Sequence, residues 1–576
     1  MLQIATGKLF TCPTRLENRL RGMLYTNAVL LREEAIDTAA GKLLPSTSHS
    51  VRPFGLVFES IERIEQEADG KPGVLVSSTV DPYLHDFAIL VSFALNCVCT
   101  PDFDLARRLT SGERGMSTKV APQQLIRRFF ARECTHDPEG LVFLPTFIDR
   151  VIGLQRKTFL GVMRAIRTYV NAMHRIADDL ELAYALLVAS VESLAQDFDG
   201  HPSDWASVNE KKRSTIDAVI AGLDAAVADR IRDAILKFEH VALGRRFREF
   251  VIAHTTPSFF REAVEGSGRR VGRSDLAGAL AEAYGSRSKY VHQIQRLPSM
   301  MSLPNGYAET LLEGRAVHLT LQGLSRLMRA VIIEFVMRQP VLDHEPYDYR
   351  LEREGVIQAR LAPQYWVGHA EGDITRSGRD KLEGFLEQLE SWLVNGDGAV
   401  VTDMRPVLAM SARSAPTIPK SLRRPYFALH ALFNLYVSAP QRAPVPPNVQ
   451  QMIERELDEP STEALVALAA YGQVVSWPLT THRELLDSYL LRRSSAAGLR
   501  LPRLFEAAIM LELAERYRDA GDMARCREMV SLAVENHPGH PGLLALEERL
   551  GSESPIEWRR VLLPLPPEAS PEPAEE

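Results

Sequence analysis

Residues 184–197, with the sequence YALLVASVESLAQD, contain the clearest helical pattern in the chain. Their apolar side chains recur at Tyr184, Leu187, Val191 and Leu194. A spacing of three or four residues places such side chains in one stripe along an α-helix. We therefore predict a long helix over residues 168–197 and an amphipathic helix over 319–337, within a helical bundle that spans residues 151–340.

The region before the bundle, residues 1–150, has a mixed pattern. Short segments of strand-like composition lie between Pro, Gly and Ser at 20–30, 51–59 and 73–78, and helical stretches follow at 83–98 and 123–132. We predict that this region is an α+β domain with a sensing or regulatory role.

The region after the bundle returns to a helical pattern. A connecting segment marked by Pro and acidic residues spans 341–378, helical patterns occupy 379–562, and a Pro- and Glu-rich tail covers 563–576. The tail is predicted to be disordered because its composition cannot form an apolar core. The expected fold class is mainly α, with a β-containing (α+β) N-terminal domain, a central helical bundle and a C-terminal helical-repeat region.

One pair of predicted helices in this last region, residues 508–538, resembles a tetratricopeptide repeat. The large apolar, small, aromatic, turn, small and stop residues of that pattern stand at Leu513, Ala514, Tyr517, Gly521, Ala533 and Pro538. A stacked array of such pairs would offer a surface for a protein partner or trigger, whereas one pair alone is an ordinary helical hairpin. Both interpretations are compatible with the sequence.

The composition is that of a globular protein with more than one domain. The chain has 576 residues, of which 45% are hydrophobic and 24% charged. Its five cysteines are scattered without a CxxC pair, which argues against a disulfide framework or zinc site and favours a reducing compartment. The first residues lack a secretory-signal pattern, and the apolar run 87–98 is too short to span a bilayer. We expect a cytoplasmic protein without membrane contact.

The charge distribution contains one local exception to an acidic chain. The formal net charge is −7, yet residues 245–296 contain ten basic residues against five acidic ones. Such an excess is the electrostatic feature expected of a polyanion site. A solvated helix face would give the same count.

The candidate catalytic motif lies inside this basic region. Residues 287–292 read RSKYVH and fit the spacing Arg-x(4–6)-His. Four other pairs satisfy the same loose spacing: Arg167 and His174, Arg248 and His254, Arg338 and His344, and Arg424 and His430. In the motif at 287–292 a polar residue, Ser288, follows the arginine and an apolar residue, Val291, precedes the histidine, within a segment of helical pattern, AEAYGSRSKYVHQ, at 281–293.

Together with ALLVASVESLAQDF at 185–198, this motif resembles the HEPN ribonucleases, and most closely the Apea-like HEPN proteins of bacterial phage defence. The resemblance covers residues 155–340 and implies a helical bundle that forms a homodimer. It also implies an endoribonuclease that needs no metal or cofactor and acts on RNA, such as tRNA or mRNA, in anti-phage defence or as a regulated toxin.

The chemistry explains why this activity would use Arg287 and His292. RNA carries its own nucleophile, the 2′-hydroxyl, so no metal-bound water is required. A histidine can take or give the proton near neutral pH, and an arginine can hold the scissile phosphate. Ser288 and Lys289 are expected to help bind phosphate, and Glu192 to hold Arg287 in place.

The spacing of the motif also restricts where it can lie on a helix. Residues five apart on an ideal helix point about 140° away from each other, so the motif is expected at a helix start, a kink near Gly285 or a dimer seam.

The alternative interpretation of these residues is structural: Arg287 would be a surface ion-pair residue and His292 a capped or core histidine. The chain would then be a non-catalytic helical scaffold or adaptor for protein assembly.

Overall fold

The structure is a computed structural model. It describes residues 1–30, 35–45, 52–67, 78–115, 120–136, 138–198, 205, 208, 210–236, 243–262, 268–353, 359–370, 374–396, 401–473, 475–495, 498–551 and 555–564. Most of the predicted strand 73–78 and residues 565–576 of the predicted tail lie outside these ranges. The chain divides into two compact units, Met1–Ile357 and Gln358–Glu576.

The first unit combines a small sheet with a set of helices. Its helices are α1 (Leu2–Ala5), α2 (Asp81–Leu95), α3 (Phe103–Thr110), α4 (Pro122–Leu125), α5 (Pro138–Gly153), α6 (Arg156–Arg175), α7 (Leu180–Phe198), α8 (Glu210–Ile220), α9 (Ala225–Leu236), α10 (Leu243–Ala253), α11 (Leu276–Gln293) and α12 (Leu321–Arg338). Its strands are β1 (Thr14–Thr26), β2 (Ala28–Val29), β3 (Ile36–Thr38), β4 (Gly41–Pro45), β5 (Phe54–Glu65), β6 (Cys99–Thr100), β7 (Cys134–Thr135), β8 (Thr310–Glu313) and β9 (Ala316–Leu319).

The sheet lies at the N-terminal end of the sequence and is antiparallel. Its strand order is β3-β4-β5-β1-β6, and the long pair β1 and β5 sets Leu20 opposite Ser60 and Leu24 opposite Leu56. Inward positions of β5, such as Phe58, are fully buried while alternate positions are more exposed. This alternation is the pattern of a sheet with one face on a core.

Two of the predicted helices differ from the structure. The predicted helix 168–197 is two helices, α6 and α7, because the chain turns at 176–179 and Asp179 caps the second one through the Leu182 amide at 2.9 Å. The predicted helix 123–132 is wrong beyond its first turn, α4. There the buried side-chain amide of Asn27 donates to the carbonyls of Phe129 and Ala131, which holds that backbone in a non-helical course.

One apolar core runs through both predicted regions of this unit, residues 1–150 and 151–340. Phe93 of α2 packs against Phe147 of α5 and Tyr169 of α6, with ring centroids 5.6 Å and 5.2 Å apart. Arg329 of α12 donates to the carbonyl of Phe93 at 2.8 Å, which caps the end of α2. The sheet region and the bundle therefore stabilise each other by direct packing.

Residues 341–353, which we call the strap, also belong to this unit although the sequence predicts a connecting segment there. Tyr349 stacks on Phe10 with ring centroids 5.7 Å apart. Arg353 and Glu62 form an ion pair of 3.3 Å in which both side chains are buried. The strap thus returns the chain after α12 to the N-terminal sheet.

The second unit is built from helices throughout its described residues. They are α13 (Ile374–Asn395), α14 (Arg405–Ser414), α15 (Lys420–Tyr436), α16 (Pro447–Leu457), α17 (Thr462–Tyr471), α18 (Leu479–Arg492), α19 (Arg503–Asp519), α20 (Met523–Asn536), α21 (Pro541–Arg549) and α22 (Trp558–Leu562). The predicted pair at 508–538 corresponds to α19 and α20, which turn at Gly521 with φ +77°. The predicted fold class, mainly α with an α+β N-terminal region, is confirmed.

Candidate functional site

The candidate motif lies on α11, which packs against α7. Small and apolar residues of α11, including Ala279, Leu280 and Ala283, are fully buried, so the two helices approach closely. Arg287 lies one turn after Ala283, and its Nη2 is 2.7 Å from Oε2 of Glu192 on α7. The Glu192 side chain is 4% exposed and that of Arg287 is 23% exposed. The two predicted site residues therefore meet in a largely buried ion pair.

Tyr284 completes this contact and was not predicted from the sequence. Its hydroxyl donates to Oε1 of Glu192 at 3.0 Å, and the guanidinium of Arg287 lies 5.8 Å from the centre of its ring. Burial, together with the Glu192 carboxylate, raises the pKa of the Tyr284 hydroxyl to about 12. The signal in the sequence was its position three residues before Arg287, on the same helical face.

Gly244 on α10 allows this arrangement. A Cβ atom at that position would lie 2.9 Å from the Tyr284 ring, which is closer than real Cβ contacts. The absence of a side chain lets α10 pack directly beside the tyrosine, and Phe247, one turn later, contacts the same ring at a centroid distance of 5.8 Å. Gly244 and Phe247 of α10 therefore pack against the tyrosine that binds Glu192.

His292 lies in the last turn of α11 and differs in exposure from Arg287. Its ring is exposed, and it makes no hydrogen bond or ion pair with another residue that the structure describes. The helix runs without interruption from Leu276 to Gln293, so the irregularity expected at Gly285 is not present. On a continuous helix Arg287 and His292 point to different faces, and one chain does not bring them to the same side.

The end of α11 has an unusual backbone. Ile294, the C-cap residue, adopts the left-handed conformation with φ +53° and ψ +32°. A β-branched residue rarely takes this conformation, which glycine or asparagine usually provides. Ile294 is 72% exposed and Val291, just before the histidine, is 49% exposed, so the helix end presents apolar surface.

The two remaining predicted site residues on α11, Ser288 and Lys289, lie between Arg287 and His292 in the sequence. Ser288 is half-buried, and Lys289 is exposed on α11. Lys289 is therefore accessible to a phosphate. Its proposed role in phosphate binding, like that of Ser288, stays a prediction.

The other four histidines that satisfy the loose spacing are either buried or hydrogen-bonded within the fold. Burial lowers the pKa of His174 to about 4, and it also lowers the pKa values of His254 and His430. The ring of His344 hydrogen-bonds the carbonyl of Phe10 at 2.9 Å. Among these five histidines, His292 is the one that is both exposed and without a hydrogen-bond partner among the described residues.

Several arginines of the basic region 245–296 are engaged within the fold. Arg245 pairs with Glu249 at 2.8 Å, and Arg246 donates to the carbonyl of Gln196 at the end of α7. Arg261 and Arg270 also donate to backbone carbonyls. Exposed cations remain at Arg269, Arg273, Lys289 and Arg296. The number of side chains whose donors are free to bind a polyanion is therefore smaller than the sequence count of ten basic residues.

Within the described part of the chain, no group of three or more His, Cys, Asp or Glu side chains is arranged to hold a metal ion. None of the helices in that part is both long and apolar enough to cross a lipid bilayer. No family model matches the sequence, and no curated protein and no solved structure matches the chain.

Proposed function

We propose that the chain is a metal-independent, HEPN-like endoribonuclease that cleaves RNA through the 2′-hydroxyl, in anti-phage defence or as a regulated toxin. The observation that carries the proposal is the ion pair between Glu192 and Arg287. It joins α7 and α11, the two segments on which the resemblance rests, and it leaves His292 exposed on the same helix as the arginine.

The proposed reaction is a transesterification within the RNA. The 2′-oxygen attacks the neighbouring phosphorus and loses its proton to a base, while the bond to the 5′-oxygen breaks and that oxygen takes a proton from an acid. The exposed imidazole of His292 suits either transfer. The guanidinium of Arg287, and the exposed ammonium of Lys289, would balance the charge that develops on the phosphate.

One copy supplies one exposed motif histidine, whereas the reaction needs a base and an acid. We therefore propose a homodimer whose two-fold axis passes near His292 of both copies. A two-fold interface places one surface beside itself, so it doubles the site without further residues. The exposed apolar side chains of Val291 and Ile294 flank the histidine and suit such a contact. The second unit would contact a protein partner or trigger, and the N-terminal sheet would take part in regulation.

A second function, a non-catalytic scaffold, is favoured by a specific observation. The guanidinium of Arg287 already binds Glu192, and it points away from His292 on a continuous helix. That geometry is what a structural ion pair between two helices requires. In a scaffold, the α7–α11 contact would stabilise the bundle, and the C-terminal helices would bind partners.

The substitution His292→Asn separates the two functions. Its side chain is exposed, so the variant is expected to fold normally and to lose RNA cleavage and toxicity by about a hundredfold or more if His292 transfers protons. His369→Asn is the matched control because His369 is exposed in the second unit. Cleavage of a mixed tRNA and mRNA pool by purified protein, with expression toxicity in cells, gives the readout. Equal activity of wild type and His292→Asn would leave the scaffold as the function.

The dimer is tested by co-purifying wild-type chains with chains that carry Arg287→Lys and His292→Asn. The mixed dimer is expected to lose most cleavage activity because the shared site needs both histidines. Full activity of that mixed dimer, or a light-scattering mass of one chain in an active preparation, contradicts the shared site.

A further inference from the structure

The second unit contains a cavity of about 510 Å³ whose lining is strongly basic. Among the described residues, four arginines, Arg379, Arg424, Arg492 and Arg493, line it together with a single acidic residue, Glu463. Five serine and threonine hydroxyls also face it. The lining comes from α13, α15, α17 and α18 and from the turns before α17 and after α18, so residues far apart in the sequence converge on one space.

Two helices begin at this cavity and add to its positive potential. The first turns of α15 and α17 both contribute lining residues. The first turn of a helix carries backbone N–H groups without helical partners and the positive end of the helix dipole. Ser461, the N-cap of α17, occupies one of these groups by accepting from the Ala464 amide at 3.1 Å.

Some of the positive charge is already engaged within the unit. Arg424 pairs with Glu459 at 2.7 Å, and Arg493 pairs with Glu506. Arg492 is exposed and has no ion-pair partner among the described residues. The carboxyl of Glu463 has its pKa raised by burial, against the opposing effect of nearby Arg424 and Arg379. Four guanidiniums line the cavity, against one carboxylate, that of Glu463, among its described lining residues.

We propose that this cavity binds a free phosphate ester of about nucleotide size. Guanidiniums bind phosphate through paired N–H groups, and hydroxyls with helix N-termini are the other groups that proteins place on phosphates. The volume lies within the range of small-molecule sites, which is roughly 300–1,000 Å³. A basic cavity of this size fits a compact phosphate polyanion. The proposal concerns the second unit alone and does not depend on RNA cleavage.

The test is isothermal titration of the full chain with two probes, inorganic pyrophosphate and ADP. Wild type is expected to bind both with an affinity that falls as salt rises. Arg492→Gln should weaken binding about tenfold, because it removes one charge-assisted contact. Glu463→Gln should tighten binding, because it removes the one carboxylate among the described residues of the lining. This opposite sign distinguishes direct charge effects from a general loss of structure.

Arg527→Gln is the matched control, since Arg527 is an exposed arginine of α20 outside the cavity lining. Circular dichroism and the unfolding temperature of every variant confirm that it folds. A Kd weaker than about 1 mM for both probes would overturn the proposal. So would equal weakening by Arg492→Gln and Arg527→Gln. Tighter binding of a hexa-aspartate peptide than of either phosphate probe would also overturn it, and would make the cavity an acidic-peptide site.

Discussion

Replacing Glu192 by alanine should loosen the contact between α7 and α11. The substitution removes the acceptor that lies 2.7 Å from Arg287 and the acceptor that lies 3.0 Å from the Tyr284 hydroxyl. Removing one partner of a buried ion pair costs about 3–5 kcal/mol, because the other charge is left without compensation. Arg287 retains 23% exposure, so the lower end of that range applies, and the cost should be about 3 kcal/mol.

Amide hydrogen exchange measures this loss of stability separately in α7 and α11. A free-energy loss of about 3 kcal/mol makes the open state roughly a hundredfold more populated, and exchange in α7 and α11 should accelerate by that factor. Peptides from α19 and α20, in the second unit, provide an internal control and should exchange as in wild type. Glu192→Gln keeps an oxygen acceptor for one of the two neighbours, Arg287 or Tyr284, so its exchange rates should lie between those of wild type and Glu192→Ala.

An acceleration below about threefold in Glu192→Ala would refute this reasoning, because it corresponds to well under 1 kcal/mol. The result also bears on any variant of Arg287. Arg287→Ala leaves the Glu192 carboxylate buried without its cation, so a loss of activity in that variant mixes stability with chemistry. Arg287 therefore contributes to the packing of α11 on α7 as well as to the proposed chemistry. His292 is exposed and remains the cleaner test.

Further predictions concern the rest of the chain. A truncated protein without residues 1–150 should fail to give a near-ultraviolet circular dichroism signal of native packing, because the shared core would be cut open; a native signal would contradict this. Gly285→Ala should raise the free energy of unfolding by about 0.5–1 kcal/mol, because the position is helical and open, whereas Gly323→Ala should lower it by at least about 2 kcal/mol, because a Cβ atom would lie 2.2 Å from the Glu309 carbonyl oxygen. Equal unfolding temperatures of the two variants would refute the comparison. Burial lowers the pKa of His482 from 6.5 to about 4. Between these two pH values the unfolded chain binds a proton that the folded chain does not, so the free energy of unfolding falls as the pH falls from 6.5 toward 4. In denaturant titrations over that range, His482→Gln should remove up to about 3 kcal/mol of this decline, and an unchanged slope would exclude the effect.

The helical parts of the fold could be predicted because their apolar residues recur at a clear helical spacing. The stripe from Tyr184 to Leu194 is buried on α7, as its spacing predicts. The boundary between α6 and α7 was missed because the turn contains neither Pro nor Gly, and its signal was the capping residue Asp179. The helix predicted at 123–132 failed because Asn27, about a hundred residues away, binds its carbonyls. Local pattern carries no information on such a distant partner.

The candidate site was predictable in its members and less so in its geometry. The contact between Glu192 and Arg287 could be anticipated because each lies on a recognisable helix. Tyr284 and Gly244 were missed, since their roles depend on how closely α10 approaches α11. The basic count in residues 245–296 overstated the number of side chains free to bind a polyanion, because arginines also cap helices and pair within the fold. Which basic side chains form contacts within the protein depends on how its helices pack.

The left-handed Ile294 affects how firmly His292 is held. An L-residue in that conformation costs roughly 1–2 kcal/mol, and unwinding the last turn of α11 removes this strain. Fraying of the turn is therefore about 5 to 30 times more frequent than it would be after a glycine cap. In a frayed turn the 140° angular separation between the motif residues no longer applies, because the residues after Tyr290 leave the helical path. The position of the His292 ring relative to Arg287 therefore depends on local fraying at the end of α11.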